Sequence, residues 1–340
     1  MNVGLDLQPT VGMPTGIGEY ARGLARAFDA LRFSYTALRD ERSDLWRFDR
    51  RVLWDQLRLP LAARRARVDL LHCTSGTMPL IGSMPIVVTV HDVAWLRVQQ
   101  HARAYARAYY GPLAARRYRT ARRIIVVSAF SRNELLAVVP GIEPARVDVV
   151  HPGVAEDLIA LDRRPDDRPF ILAVGTVEQR KNLAVAIRAL RVLPGVELIA
   201  VGPATPYRDA CERIARELGI DQRVRFCGYI GRAELRDLYA RAAVAIVPSK
   251  YEGFGFAAAQ ALCAGVPLIV STSASLPEVV DGQATLVGPD DDDGWSAALA
   301  TILGDRTAAN RRAAAARIAA AQRFSWEAAA RATLEVYGKA

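Results

Sequence analysis

Two segments of this 340-residue chain carry residue types and spacings suited to chemistry on an anion. The first is Val174-Gly175-Thr176-Val177-Glu178-Gln179-Arg180-Lys181-Asn182-Leu183. A strand-like run ends, Gly175 turns the chain, two adjacent cations appear and a helical pattern begins. Cations at a helix N-terminus oppose the helix dipole. A bound phosphate would reconcile them, since Arg180, Lys181 and the dipole then all face one anion; the alternative is solvated loop charge. The second segment runs from Val247 to Ala261, again from a strand into a helix. Gly253 and Gly255 free backbone amides around Phe254 and Phe256 for close approach to a ligand. Glu252 ends the loop, and Gln260 lies about a turn and a half into the helix. These two side chains could bracket one elongated, hydroxyl-rich ligand.

Other candidates are less distinctive. Gly16-Ile17-Gly18-Glu19-Tyr20-Ala21 fits the G-x-G-x-x-A dinucleotide pattern. The loop before it contains Pro9 and Pro14, where that fold wants a tight turn. Gly16 and Gly18 serve either an anionic ligand or a flexible helix start. His91 directly follows a strand-like run and stands open to a functional reading, whereas His72 and His151 read as structural. The acidic tract Asp290–Asp293 resembles a metal site but sits before a helix, where negative charge is ordinary.

The elements that must position these residues are legible as alternating short β-branched runs and longer Ala/Leu/Arg stretches, the pattern of helix-covered parallel sheets. Strands are expected at 2–7, 33–38, 68–72, 85–90, 123–127 and 146–150 in the first half. Those of the second half fall at 170–174, 196–201, 223–227, 243–247, 266–270 and 283–287. First-half helices are expected at about 17–30, 54–66, 103–121 and 131–138, the last opened by a capping box, Ser131 to Glu134. Three helices, at about 293–303, 307–322 and 326–337, close the chain. The polar stretch Asp162–Pro169 reads as a linker. The fold class is therefore α/β, with two doubly wound, Rossmann-like domains facing a cleft, and ligands at strand carboxyl ends. The domains are expected at 1–160 and 161–322, with a helix at 323–340 crossing back to the first.

Composition bounds the partners. The net charge of +9 favours polyanions or phosphorylated ligands. Cys73, Cys211, Cys227 and Cys263 show no zinc-like spacing and fit a reducing compartment. Neither a signal-peptide pattern nor an 18-residue apolar run is evident, so a cytoplasmic protein is expected. Residues 97–123 carry eight arginines and no acid, with four interleaved tyrosines; Arg50, Arg51, Arg58, Arg64, Arg65 and Arg67 add a second basic stretch. These suggest a peripheral contact of 97–123 with an anionic membrane, in the absence of any recognised nucleic-acid module.

Taken together, the motifs resemble retaining glycosyltransferase family 4, of the GT-B fold. The resemblance rests on Gly16-Ile-Gly18, Thr89-Val-His-Asp92, Val127–Arg132, His151-Pro-Gly-Val154, Val174–Asn182, Phe226-Cys-Gly-Tyr229, the Glu252–Gln260 segment and Ser275–Val279. It implies an acceptor-binding first domain and a donor-binding second domain. It also implies that Lys181, with Arg180 and the Gly16–Gly18 loop, holds the donor diphosphate. Glu252 and His91 lie beside the reacting sugar, and the backbone at Phe254, Gly255 and Phe256 approaches it. Gln260 stands where the family has a ribose-binding glutamate, and Thr176 where many members have an arginine. The implied activity is metal-independent, retaining hexosyl transfer from a nucleotide-sugar substrate, with no further cofactor. The first expectation is mannose from GDP-mannose, passed to a saccharide or polyprenyl-diphosphate-linked acceptor of surface polysaccharide or lipopolysaccharide assembly. The alternatives are a non-catalytic nucleotide-sugar or polyanion-binding protein and, using the Gly16 loop, an NAD-dependent oxidoreductase.

Overall fold

The computed structural model describes residues 1–12, 15–43, 47–80, 82, 84–97 and 108–340. Its chain divides into two compact units, Met1–Gly153 with Ser325–Ala340, and Val154–Phe324.

The first unit is built on a six-stranded parallel sheet: β1 (Val3–Asp6), β2 (Tyr35–Leu38), β3 (Leu70–Cys73), β4 (Ile86–Val90), β5 (Arg123–Val126) and β6 (Val147–Val149). The spatial order is β2-β1-β3-β4-β5-β6. Every residue of β1, β3 and β4 is buried, as the near-continuous apolar runs of a helix-covered parallel sheet require. Helices α1 (Gly16–Ala30), α2 (Phe48–Leu53), α3 (Leu59–Arg65), α4 (Pro112–Thr120) and α5 (Ala129–Val138) surround it. The C-terminal helix, Trp326–Gly338, belongs to this unit. It sits so close that a Cβ on Gly23 would lie 2.1 Å from the Trp326 ring. Its Tyr337 hydroxyl meets His72 Nδ1 at 2.6 Å, while His72 Nε2 meets Thr89 Oγ1 at 2.8 Å. Burial pulls the His72 pKa down to about 3, so this imidazole is a neutral structural group.

The second unit has its own parallel sheet, ordered β12-β11-β10-β7-β8-β9. Its strands are β7 (Phe170–Val174), β8 (Glu197–Val201), β9 (Val224–Gly228), β10 (Val244–Val247), β11 (Leu268–Ser271) and β12 (Thr285–Val287). The main helices are α6 (Leu183–Leu190), α7 (Tyr207–Glu217), α8 (Arg232–Arg241), α9 (Phe256–Cys263), α10 (Asp292–Gly304) and α11 (Arg306–Arg323).

Several local expectations are corrected. The helix expected from residue 54 starts at Phe48 and passes through a π turn, Trp54–Arg58, before α3. Pro60, which has no N–H to offer the preceding turn, follows directly. The N-cap of α5 is Ser128, which accepts from the Ser131 amide at 2.9 Å. The box expected at Ser131 therefore lies one turn inside the helix. Residues 162–169 are no free linker. The Arg163 guanidinium donates to the Ala240 and Ala242 carbonyls at 3.0 and 2.7 Å, and the Arg164 and Asp166 amides bond to Ala240 and Arg241. Residues 154–160 join the second unit, since Val154 N bonds to Phe324 O and Arg317 Nε to Ile159 O. The boundary consequently falls at Gly153 rather than 160.

The basic stretch 97–123 is not one exposed face. Arg117 is 1% exposed, donates to the Leu113 and Met78 carbonyls and lies 4.2 Å above the Tyr109 ring. Tyr109 and Tyr118 are buried too, the latter bonded to Gly76 O. Here arginine and tyrosine use their long apolar bodies as core filling. Arg116, Arg119 and Arg122 are exposed, while Arg103, Tyr105 and Arg107 lie outside the described residues.

Candidate active site

In the second unit, the two segments singled out in the sequence meet beyond the carboxyl ends of β7 and β10. After β7 the chain turns at Gly175, and a Cβ on neighbouring Gly202, at φ 143°, would strike Gly175 O at 2.1 Å. Gln179–Lys181 form a single 3₁₀ turn, and Asn182, left-handed at φ 55°, opens α6. The Asn182 side chain donates to Pro289 O at 2.6 Å, which fixes this entry. The loop after β10 is tied to it by Lys250 N donating to Arg180 O at 2.8 Å.

Three charged side chains converge there. Lys181 Nζ lies 2.5 Å from Glu252 Oε1, and Arg180 Nη1 lies 3.5 Å from Glu252 Oε2. Arg180 also pairs with Glu178 at 2.8 Å and donates to Tyr251 O. The Ser249 hydroxyl donates to Glu252 Oε1 at 2.8 Å, and the Ser275 hydroxyl reaches the Glu252 and Phe254 carbonyls. Burial pushes the Glu252 carboxyl up, but Lys181 and Arg180 pull harder and hold it below the ordinary carboxylate range. The Glu252 side chain is 8% exposed, whereas Lys181 and Arg180 keep 22% and 27%. The cations thus retain an open face that the carboxylate lacks.

Gly255 adopts φ 96°, and a Cβ there would lie 2.7 Å from Leu276 Cδ2, so the turn that starts α9 needs glycine. Phe254 is buried against Phe324 and Phe256, which stays partly exposed. Gln260 is buried on α9, where Tyr239 donates to its Oε1 at 3.2 Å.

The first unit has a separate cavity of about 300 Å³, lined by residues that include Ile17, Arg51, Thr77, His91, Asp92 and Tyr110. Ile17 and the glycines on either side form the first turn of α1, not a loop, and this turn and His91 share one cavity. Thr15 caps α1 by accepting from the Gly18 amide at 3.0 Å. A Cβ on Gly18 would lie 2.5 Å from Pro9 O, while one on Gly16 meets open space. Gly18 is therefore required by packing, and its amide is already taken. His91 Nε2 lies 2.8 Å from Thr74 O, so it carries the proton and Nδ1 is the acceptor. Burial lowers the His91 pKa against the opposing pull of the Thr74 carbonyl and Asp92, which keeps the ring neutral.

Sequence reasoning missed Arg51, Thr77 and Tyr110 as cavity residues, Tyr239 as the partner of Gln260, and Ser249 and Ser275 as supports of Glu252. Thr77 follows the carboxyl end of β3, a position that could have marked it. Nothing in the chain links Tyr239 to Gln260 before the fold is known.

Family models match both halves: "Glycosyltransferase Family 4" over residues 14–158 and "Glycosyl transferases group 1" over 156–319. The MMP alpha-(1->4)-mannosyltransferase of Mycolicibacterium hassiacum is 34% identical over 301 residues, covering 82% of this chain and 72% of that protein. The chain belongs to glycosyltransferase family 4. The D-inositol 3-phosphate glycosyltransferase of Mycolicibacterium paratuberculosis is 36% identical over 239 residues, 65% of this chain. That match spans about half (53%) of the relative's length. Sucrose-phosphate synthase from Thermosynechococcus elongatus superposes with a TM-score of 0.81 at 22% identity, covering 99% of this chain and 98% of that one. The fold is GT-B, and the Glu252–Gln260 segment lies within the residues matched by the group 1 model. The oxidoreductase alternative falls with that membership. The acidic tract is otherwise employed: Asp290 pairs with Lys250, Asp292 with Arg188, and Asp291 caps α10 through the Gly294 amide.

Proposed function

We propose that the chain transfers a hexose, with retention and without a divalent metal, from a nucleoside diphosphate sugar to a hydroxyl of a saccharide or polyprenyl-diphosphate-linked acceptor. Mannose from GDP-mannose is the first candidate donor. The observation that carries this reading is the Arg180–Lys181–Glu252 cluster, two partly open cations braced on a buried carboxylate. A donor diphosphate takes up the open face of both cations. As the bond from C1 to the diphosphate oxygen breaks, the growing negative charge is stabilised there. The acceptor oxygen bonds to C1, and its proton passes to the departing diphosphate. Gln260, oriented by Tyr239, meets the ribose hydroxyls, and the backbone at Phe254–Phe256 lies along the sugar. His91 is neutral and offers Nδ1 to a sugar hydroxyl; it supplies no imidazolium.

Thermal-shift screening of GDP- and UDP-sugars, followed by turnover with and without EDTA, tests the reading. Product with an inverted anomeric centre would overturn retention, and activity lost in EDTA but restored by Mg²⁺ would overturn metal independence. Donor binding without transfer or hydrolysis would leave a nucleotide-sugar binding protein.

A further inference from the structure

The helical run Phe48–Arg65 buries one face and leaves an unusual one outside. Arg51, Trp54, Asp55, Leu59 and Ala63 point into the unit. On the other side, Leu53, Leu57 and Leu61 are 40%, 52% and 40% exposed. A four-residue spacing drifts about 40° per step on an α-helix. The wider π turn at Trp54–Arg58 reduces that drift, so the three leucines form a stripe. Leu80, 39% exposed, is held beside it by its amide donating to Gln56 Oε1 at 2.8 Å.

The rim of this apolar patch is cationic. Between residues 50 and 67 the sole acid is Asp55, which is buried against Arg51. Arg58, Arg64, Arg65 and Arg67 are exposed. Arg58 shares its charge with Asp40 at 2.8 Å; Arg64, Arg65 and Arg67 pair with no carboxylate among the described residues. A stripe of leucines rimmed by exposed arginines, only Arg58 of them paired with a carboxylate among the described residues, is complementary to an interface that is apolar below and anionic above. Water and a purely acidic protein surface each satisfy the arginines, but neither covers the leucines, whereas an anionic bilayer surface does both. No described helix is long and apolar enough to cross a membrane, so such a face would lie on a bilayer.

We propose that the Leu53–Leu57–Leu61 face, with Leu80 and the arginines at 58, 64 and 65, docks on an anionic lipid bilayer surface. Leucine insertion and cation attraction are each weak alone and act together as two signals. This surface lies within the first unit and does not depend on the proposed donor.

Flotation of the full chain with phosphatidylglycerol-containing vesicles and with pure phosphatidylcholine vesicles tests it. Recovery is expected on the anionic vesicles and to decline with added salt. The variant Leu53→Ser/Leu57→Ser/Leu61→Ser is expected to bind about tenfold more weakly or worse, at every salt concentration. Arg64→Gln/Arg65→Gln is expected to lose the preference for anionic vesicles. All five positions are exposed, so an unchanged melting temperature checks the fold; should the triple variant unfold, Leu57→Gln alone replaces it. Equal recovery on both vesicle types, or undiminished flotation of the leucine variant, would overturn the proposal. So would a wild-type dimer in light scattering that the leucine variant abolishes, since a second copy would then cover the face.

Discussion

Each unit contains an arginine- or lysine-to-carboxylate cluster beyond the carboxyl end of its sheet, yet the two are built for opposite ends. In the first unit, Arg51 and Asp55 are 3.0 Å apart with side chains 11% and 0% exposed, and Asp6 lies buried close by. In the second, Glu252 is also buried, at 8% exposed, but its partners Lys181 and Arg180 keep an open face. A largely closed pair serves structure first, even though Arg51 also lines the His91 cavity, because its charges are already engaged with each other. A pair with open cations can accept a third charge without first losing the second. Position at a strand end is thus insufficient to mark a ligand site; the exposure of the cation decides.

The sharpest way to break this contrast is to delete one cation from each cluster. Asp55 Oδ1 already has no hydrogen-bond partner among the described residues, and Arg51→Met would leave Oδ2 with only the Tyr109 hydroxyl, at 2.7 Å. A loss of about 3–5 kcal/mol is expected in denaturant titration. Lys181→Ala still leaves Glu252 with Arg180 and the Ser249 hydroxyl, so it should cost less stability than Arg51→Met while cutting kcat/KM by about 10²–10³. Large destabilisation by Lys181→Ala, with activity intact, would reverse the two roles.

The clusters should also differ in pH dependence. Burial, then repulsion by Asp55, raises Asp6 to about 7, against the pull of Arg51 and of hydrogen bonds from the Gln8 amide and Trp54. Its folded form binds the proton that the unfolded chain has released, so stability falls as pH rises from about 4 to 7. Asp6→Asn should flatten that slope, by about 2–4 kcal/mol across the window. Glu252 has the opposite sign. Its lowered pKa contributes stability above the ordinary glutamate value and loses it as pH falls through the folded value, a loss that Glu252→Gln should remove. Chemical denaturation of the wild type and the two variants between pH 3 and 8 checks both limbs.

This contrast also explains what could be read from the sequence. All twelve strands fall within a few residues of their expected runs, because parallel strands buried on both faces need unbroken β-branched and apolar residues. The convergence of Arg180, Lys181 and Glu252 was legible because strand, glycine turn, polar residue and helix follow one another in sequence. Arg51 and Arg117 were not. A buried arginine and a solvated one look alike until the fold supplies Asp55 or the Tyr109 ring as a partner. Asp162–Pro169 misled for the same reason, since the Arg163 guanidinium bonds to backbone carbonyls 77 and 79 residues onward. Charge runs specify solvent exposure poorly when helices supply free carbonyl ends.

The smallest expected effect concerns Gln260, one of the two positions, with Thr176, at which the resemblance implies a different residue. Gln260 Oε1 accepts from Tyr239 at 3.2 Å, in a setting from which water is largely excluded. A glutamate there would keep that bond, since a carboxylate accepts from the same hydroxyl, and would offer its second oxygen as a charged acceptor for ribose. Burial alone would disfavour the added charge. The Tyr239 hydroxyl and the ribose hydroxyls offset that cost only while nucleotide is bound. Gln260→Glu is therefore expected to tighten nucleoside diphosphate binding by about 1 kcal/mol while leaving the free protein slightly less stable. Calorimetric titration of GDP and UDP, with each 2′-deoxy form, reads both the gain and its origin. A gain confined to the ribose forms supports ribose at this position. Weaker binding by Gln260→Glu would mean that the amide donates a hydrogen bond no carboxylate can replace, and an equal gain for the deoxy forms would remove the 2′-hydroxyl from its contacts.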